Sequence, residues 1–264
     1  MTHENGRARA RESELRILRA LQRFGWLRTR DLSALVWQRW RRSPEAPPGF
    51  RPATFTPTGL RMAQRTLRRL RDRRLVLTGH GPDGSIVSSL SEGGARLLQH
   101  IGVPATTGKD LVRPFSAAYF RHRCIANEIA IGAIVDGFRV ATEREIAQGR
   151  WVVGNEGIAG KRPDVFLRDG GKAWAIEVER HRKNAKDYMR LISWLDALGR
   201  AVMSQGHVLV GPELSLERVV FVCSPRFSAK LCRDLMDAGW STTKIDSLLH
   251  FETSLYRIED IAFL

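Results

Sequence analysis

Three acidic residues in the second half of the chain fall where a strand would be buried. Glu177 and Glu179 lie in the run Lys172-Ala173-Trp174-Ala175-Ile176-Glu177-Val178-Glu179, and Asp164 sits early in the preceding run Arg162-Pro163-Asp164-Val165-Phe166-Leu167. Side chains alternate along a strand, so Glu177 and Glu179 share one face while Ile176 and Val178 take the other. Two adjacent carboxylates in an apolar strand, with a third on its neighbour, resist desolvation and repel one another unless a cation shares the site. An oxygen-only donor set favours a hard divalent ion, Mg2+ or Mn2+. Such an ion polarises a phosphoryl group and activates water, which is the chemistry of phosphodiester hydrolysis. The plainer alternative is a set of strand ends paired with Arg162, Arg168 and Arg180.

The elements that must position these groups can be read around them. Asp169-Gly170-Gly171 is a turn signal that joins the two acidic runs into a hairpin. Upstream, residues 116–136 have a helical pattern with Ile125, Ile129 and Ala133 on one side and Gly137 as the stop. Phe138 to Ala141 reads as a strand, with Glu143 and Glu145 following at strand spacing. The glycine-rich stretch 154–160 fits no phosphate-cradle spacing and reads as a loop that could lie over the cleft. Downstream come a helix over 183–198, the apolar strand 219–223 and a helix over 227–238. Strands alternating with helices predict an α/β class.

The chain has 264 residues and a formal net charge of +15, enough length for two domains. Residues 1–112 hold 21 basic and 9 acidic residues, a net +12, against +3 for 113–264. Positive charge gathered in one segment implies a polyanionic partner, with nucleic acid ahead of an anionic membrane. No apolar run reaches the length of a membrane span, and the polar N-terminus carries no signal segment, so a cytoplasmic location is expected. Cys124, Cys223 and Cys232 are odd in number and far apart, which speaks against a disulfide framework or a thiolate zinc site.

The basic segment begins with a helix over 12–24 stopped by Gly25, then a second helix to about Trp37, capped by Thr29 with Asp31 in its first turn. Pro44, Pro47, Pro48 and Pro52 make residues 41–55 an exposed loop. Thr56 and Pro57 open a third helix with Leu60, Ala63, Leu67 and Leu70 as an apolar stripe and Arg61, Arg65, Arg68 and Arg69 on the far side. The runs 75–78 and 86–90, joined by Gly79 to Gly84, read as a hairpin, and Ser91 caps a last helix to about His100. Residues 103–112 read as a linker. The predicted domains are therefore 1–104 and 113–264, with 105–112 between them.

The order helix, helix, helix, hairpin, helix over residues 12–102 resembles the winged-helix DNA-binding family. That resemblance implies a third helix in the major groove, with Arg61, Arg65, Arg68 and Arg69 toward the DNA, and a hairpin wing on phosphates. Residues 116–224 resemble the PD-(D/E)XK nuclease superfamily, with Pro163-Asp164 as one half of the motif and Glu177-Val178-Glu179 as the other. The resemblance maps Asp164 and Glu177 onto metal ligands and Glu128 onto an accessory acid. Glu179 stands where the superfamily usually has lysine, and Lys183 or Lys186 could supply the missing charge.

A winged helix, a helix bearing His122, a Pro-Asp strand and a Glu-x-Glu strand together resemble the replication-relaxation family and the MOBC-type plasmid relaxases. The resemblance implies a cytoplasmic endonuclease of plasmid mobilisation and conjugation that nicks double-stranded DNA at a transfer origin. Asp164, Glu177, Glu179, Lys183, His122 and Glu128 are then the expected catalytic set, with Asp164, Glu177 and Glu179 on Mg2+ or Mn2+. Other relaxosome proteins, or a second copy of the chain in a homodimer, are the implied partners. The alternative is a noncatalytic DNA-binding regulator with a degenerate nuclease domain.

Overall fold

The computed structural model describes residues 2–112, 116–179, 184–211 and 213–256. It is a mixed α/β protein with two compact units. Among the described residues, one unit contains those of 2–41 and 53–123, and the other those of 42–52 and 124–256.

In the first unit, α1 (Thr2–Phe24) leads into β1 (Trp26–Arg28), α2 (Thr29–Val36), α3 (Pro57–Asp72), β2 (Val76–His80), β3 (Ile86–Leu90) and α4 (Glu92–His100). The short strand β1 was not legible in the sequence. It pairs antiparallel with β3, giving a three-stranded sheet in the order β1-β3-β2. The N-cap of α2 is Arg28, one residue earlier than the expected Thr29. Asp31 decides this: its carboxylate accepts from the Arg28 backbone N–H at 3.0 Å and from the buried guanidinium at 2.9 and 2.8 Å. The apolar stripe of α3 seats Ala63, Leu67 and Leu70 in the core and leaves Leu60 half-buried, and the Thr56 hydroxyl accepts from Gly59 N–H at its start.

Residues 105–112, expected as a linker, are fastened to the hairpin. Gly108 N–H donates to Leu90 O at 2.8 Å, Ser89 Oγ donates to Gly108 O at 3.0 Å, and Lys109–Val112 forms a 3-10 turn. The proline-rich segment 41–55 has no regular structure, but residues 42–52 belong to the second unit. Gly132 and Gly137 leave room for this strap, since a Cβ would come within 2.9 Å of Arg51 O and 2.7 Å of the Ser43 carbonyl carbon respectively.

The second unit is built on a mixed sheet in the order β4-β5-β6-β8-β7. Its strands are β4 (Arg139–Ala141), β5 (Val165–Asp169), β6 (Lys172–Glu179), β7 (Val208–Gly211), β8 (Leu214–Cys223) and β9 (Leu249–Glu252). β5 and β6 form the expected hairpin, β6 and β8 are parallel, and β9 lies parallel beside β8. The helices are α5 (Ala117–Val135), α6 (Glu143–Ala147), α7 (Ala185–Gln205), α8 (Pro225–Asp237) and α9 (Thr242–Leu248). The boundary between units falls within α5, at residues 123 and 124, rather than in a linker. Glu143 and Glu145, expected to continue a strand, open α6 instead. Thr142 Oγ1 accepts from Glu145 N–H and the Glu145 carboxylate accepts from Thr142 N–H, a capping box that starts a helix.

Ala173 and Ala175 of β6 pack with Val219 and Phe221 of β8 and with Leu191, Trp194, Leu195 and Leu198 of α7 in one core. By strand alternation Glu177 and Glu179 stand on this same covered face. Among the described residues, no helix is long and apolar enough to cross a membrane.

Candidate functional site

Glu177 and Glu179 are both buried, at 3% and 6% exposure, in the only stretch of β6 that carries carboxylates. The antiparallel register pairs Val165 with Ile176, so Asp164 falls opposite Glu177 as the hairpin continues. Asp164 N–H donates to Ile176 O at 2.9 Å, and its carboxylate accepts from Val178 N–H at 2.8 Å, which fixes the side chain against β6. The charges of Asp164 and Glu179 both act on Glu177, so the three carboxylates form one electrostatic cluster. Glu179 also lies toward the end of the strand, level with Cys223 of β8. Burial, together with the Glu179 charge, pushes the Cys223 thiol up to about 12, which makes it an inert core group.

Among the described residues, the cation that pairs with Glu177 is Lys161, which was not among the sequence candidates. Its ammonium pairs with Glu177 Oε2 and stands 4.9 Å from the centre of the Trp194 ring. A tight turn delivers it. Ile158 and Lys161 exchange both backbone hydrogen bonds, with Ala159 and Gly160 at φ 47° and 83° in the left-handed region between them. Trp194 Nε1–H donates to Ile158 O at 2.7 Å and anchors that turn to α7.

The two partners respond differently to the pairing. At Glu177, burial outweighs the lysine charge and pushes the carboxyl up to about 7. At Lys161, 26% exposed, burial lowers the pKa, but the charge and hydrogen bond of Glu177 together with the charges of Asp164 and Glu179 outweigh it and hold the ammonium above its ordinary value. Both directions describe a carboxylate deep in the core with a cation reaching in from the rim.

The remaining expected residues fall elsewhere. Lys183 lies outside the described residues, as do Arg180 and His181. Lys186 is exposed on the first turn of α7 and lines an open groove of about 830 Å3 together with Lys161, Arg190 and Trp194. Glu128 is half-buried in the part of α5 that belongs to the second unit, and the groups acting most on Glu177 are Lys161, Asp164 and Glu179. His122 belongs to the first unit. The only sequence hint of Lys161 was its position at the end of the glycine-rich loop, three residues before Asp164.

Among the described residues, no three His, Cys, Asp or Glu side chains stand ready as a metal-binding group. The donors nonetheless fit a hard divalent ion in kind. They are all carboxylate oxygens, and Glu177 Oε1 is a buried acceptor that makes no hydrogen bond. Asp164 and Glu177 are the pair that could hold such an ion.

In the first unit, Arg61, Arg65, Arg68 and Arg69 are all exposed on α3. Arg65 and Arg68 make no ion pair or hydrogen bond among the described residues. Arg61 donates to Thr58 Oγ1 at 3.3 Å. Arg69 is drawn sideways to Glu14 of α1, at 3.4 Å, which also holds Arg73 at 2.7 Å. The outward ridge therefore comprises Arg61, Arg65 and Arg68.

Comparison with models of known families, with curated proteins and with solved structures gives no match to the chain.

Proposed function

We propose that this chain binds double-stranded DNA through α3 of a winged-helix unit and hydrolyses a phosphodiester bond at the Asp164–Glu177–Lys161 cluster of a PD-(D/E)XK-like unit. On this reading it is a nickase of plasmid mobilisation or replication, of the relaxase kind that the sequence resembles. The observation that carries the proposal is the convergence on Glu177 of two further carboxylates and one lysine. The exposed Arg61, Arg65 and Arg68 ridge supplies affinity for the polyanion that such a site would cut.

In this mechanism Lys161 takes the place of the lysine absent at Glu179. Its ammonium can leave Glu177 for a phosphoryl oxygen and offset the charge that develops there. Glu177, buried opposite Asp164, has one carboxylate oxygen on Lys161 and the other free of hydrogen bonds. Asp164, locked by Val178 N–H, keeps its carboxylate fixed opposite Glu177. Mg2+ or Mn2+, held by Asp164 and Glu177, would supply Lewis-acid polarisation of the phosphate.

One observation favours a second reading. Lys161 already pairs with the most buried carboxylate, Glu177, so that pair can stand as a structural ion pair in a noncatalytic DNA-binding regulator. Incubating a supercoiled origin-bearing plasmid with the protein and Mg2+ or Mn2+ separates the two. Nicked circles that are lost in Asp164→Ala, Glu177→Gln and Lys161→Ala support the nuclease. Retained DNA binding with no nicking under either ion supports the regulator.

A further inference from the structure

The arginine ridge leaves part of the first unit's positive charge without a role. Arg69 and Arg71 flank the line of Arg61, Arg65 and Arg68 on opposite sides of α3, each roughly a quarter turn away. Arg69 is occupied by Glu14. Arg71 instead opens onto a cleft of about 440 Å3 between the end of α3, the start of β2 at Val76 and Leu77, the start of α4 and the segment carrying Thr107 and Lys109. The charged groups lining this cleft are Arg71, Arg74, Lys109 and Glu92, all exposed. None of the four makes an ion pair among the described residues.

The backbone holding these groups is fixed. Ser91 Oγ donates to Arg74 O at 2.6 Å, and Ser91 N–H donates to Leu75 O at 3.2 Å. Gly94 lies so close that a Cβ would be 2.1 Å from Leu75 O. On the other wall, Thr107 Oγ1 donates to Leu90 O at 3.2 Å and accepts from Lys109 N–H at 3.3 Å. Arg74 itself has φ 55°, the left-handed position after a helix where glycine is the usual residue.

The hairpin, by contrast, carries no permanent cation. Residues 75–90 contain neither lysine nor arginine, and Asp83 near the tip accepts from Ser85 N–H and Ser85 Oγ. Gly79 and Gly81 hold the hairpin against the chain that follows, where a Cβ would come within 2.7 Å of Val112 O and 2.4 Å of Phe120 Cζ.

We infer that the Arg71–Arg74–Lys109 cleft is a second contact for the phosphodiester backbone of duplex DNA, taking the part that the hairpin cannot. Three cations around one carboxylate repel one another in the free protein, and a polyanion relieves that repulsion. The inference rests on the DNA-binding reading of α3. It places the DNA footprint from the outward ridge toward α4 and the base of the hairpin rather than toward the hairpin tip.

Fluorescence anisotropy with a labelled mixed-sequence duplex, read as a function of salt, tests it. Arg74→Gly suits the left-handed backbone, so its melting temperature should stay level or rise while affinity falls. Adding Arg71→Gln and Lys109→Gln should flatten the plot of log affinity against log salt by about 0.9 for each phosphate no longer neutralised. An unchanged slope in the triple variant, with a reduced slope in Arg65→Ala/Arg68→Ala, overturns the cleft and leaves the α3 reading standing. Unchanged slopes in both sets overturn the α3 reading as well. Equal affinity and equal slope loss on duplex RNA would overturn the assignment to DNA.

Discussion

The Lys161–Glu177 pair is where removal of a single charged group should be felt most. Deleting the ammonium by Lys161→Ala leaves a buried carboxylate uncompensated, a change that typically costs roughly 3–5 kcal/mol. Chemical denaturation above pH 7 should show that loss, and Lys161→Ala/Glu177→Gln should recover much of it, because the amide carries no charge to desolvate. The pair also gives stability a pH dependence with a definite sign. The folded-state pKa of Glu177 is raised from 4.5 to about 7, so the native chain binds this proton more tightly than the unfolded chain. This contribution to stability is greatest below about 4.5, falls as pH rises toward 7 and levels off above it. Lys161, raised from 10.5, stays protonated throughout that window. Denaturation midpoints measured across this range should decline in the parent and lose that component in Glu177→Gln. The acidic half of the site was legible because alternation along β6 alone places Glu177 beside Glu179. The lysine was not, since its approach depends on a turn closed by Trp194 from a helix more than thirty residues downstream.

At the level of the element, α3 is the clearest case of local rules prevailing. Thr56, Pro57 and the spacing of Ala63, Leu67 and Leu70 specify its start and its buried face, and the structure places all of them as those rules require. Arg65→Ala/Arg68→Ala should therefore leave thermal stability nearly unchanged, because both side chains are exposed and unpaired, yet weaken duplex binding and lower its salt dependence. Calorimetry and anisotropy on the same samples check both halves of that statement. Arg69 shares the exposed side of the helix but pairs with Glu14, a contact across 55 positions of sequence that helical periodicity could not reveal. α6 shows the reverse error. Glu143 and Glu145 fit strand alternation, but Thr142 and Glu145 also make a capping box, and the box satisfies backbone groups that an edge strand would leave exposed.

For the molecule as a whole, the assignment of residues to the two units matters more than the order of elements. Residues 42–52 follow α2 of the first unit in sequence yet belong to the second, where Pro48, Phe50 and Arg51 line a small pocket with Ile129, Ala133, Phe138 and Leu167. A fragment starting at residue 113, the boundary read from the sequence, lacks this strap and exposes the surface it covers. It should melt at lower temperature than the second unit does within the intact chain and bind more of an apolar dye, as scanning fluorimetry would show. Hydrophobic spacing, caps and turn residues determined most of the helices, though not α6 or α9, together with the two hairpins and the acidic face, because each of those signals acts over a few residues along the backbone. Only the tertiary structure decided which cation meets Glu177, which unit holds the proline-rich strap, and that the segment after α4 is fastened to the hairpin. Those outcomes follow from close packing and charge pairing between distant parts of the chain, which no local pattern encodes.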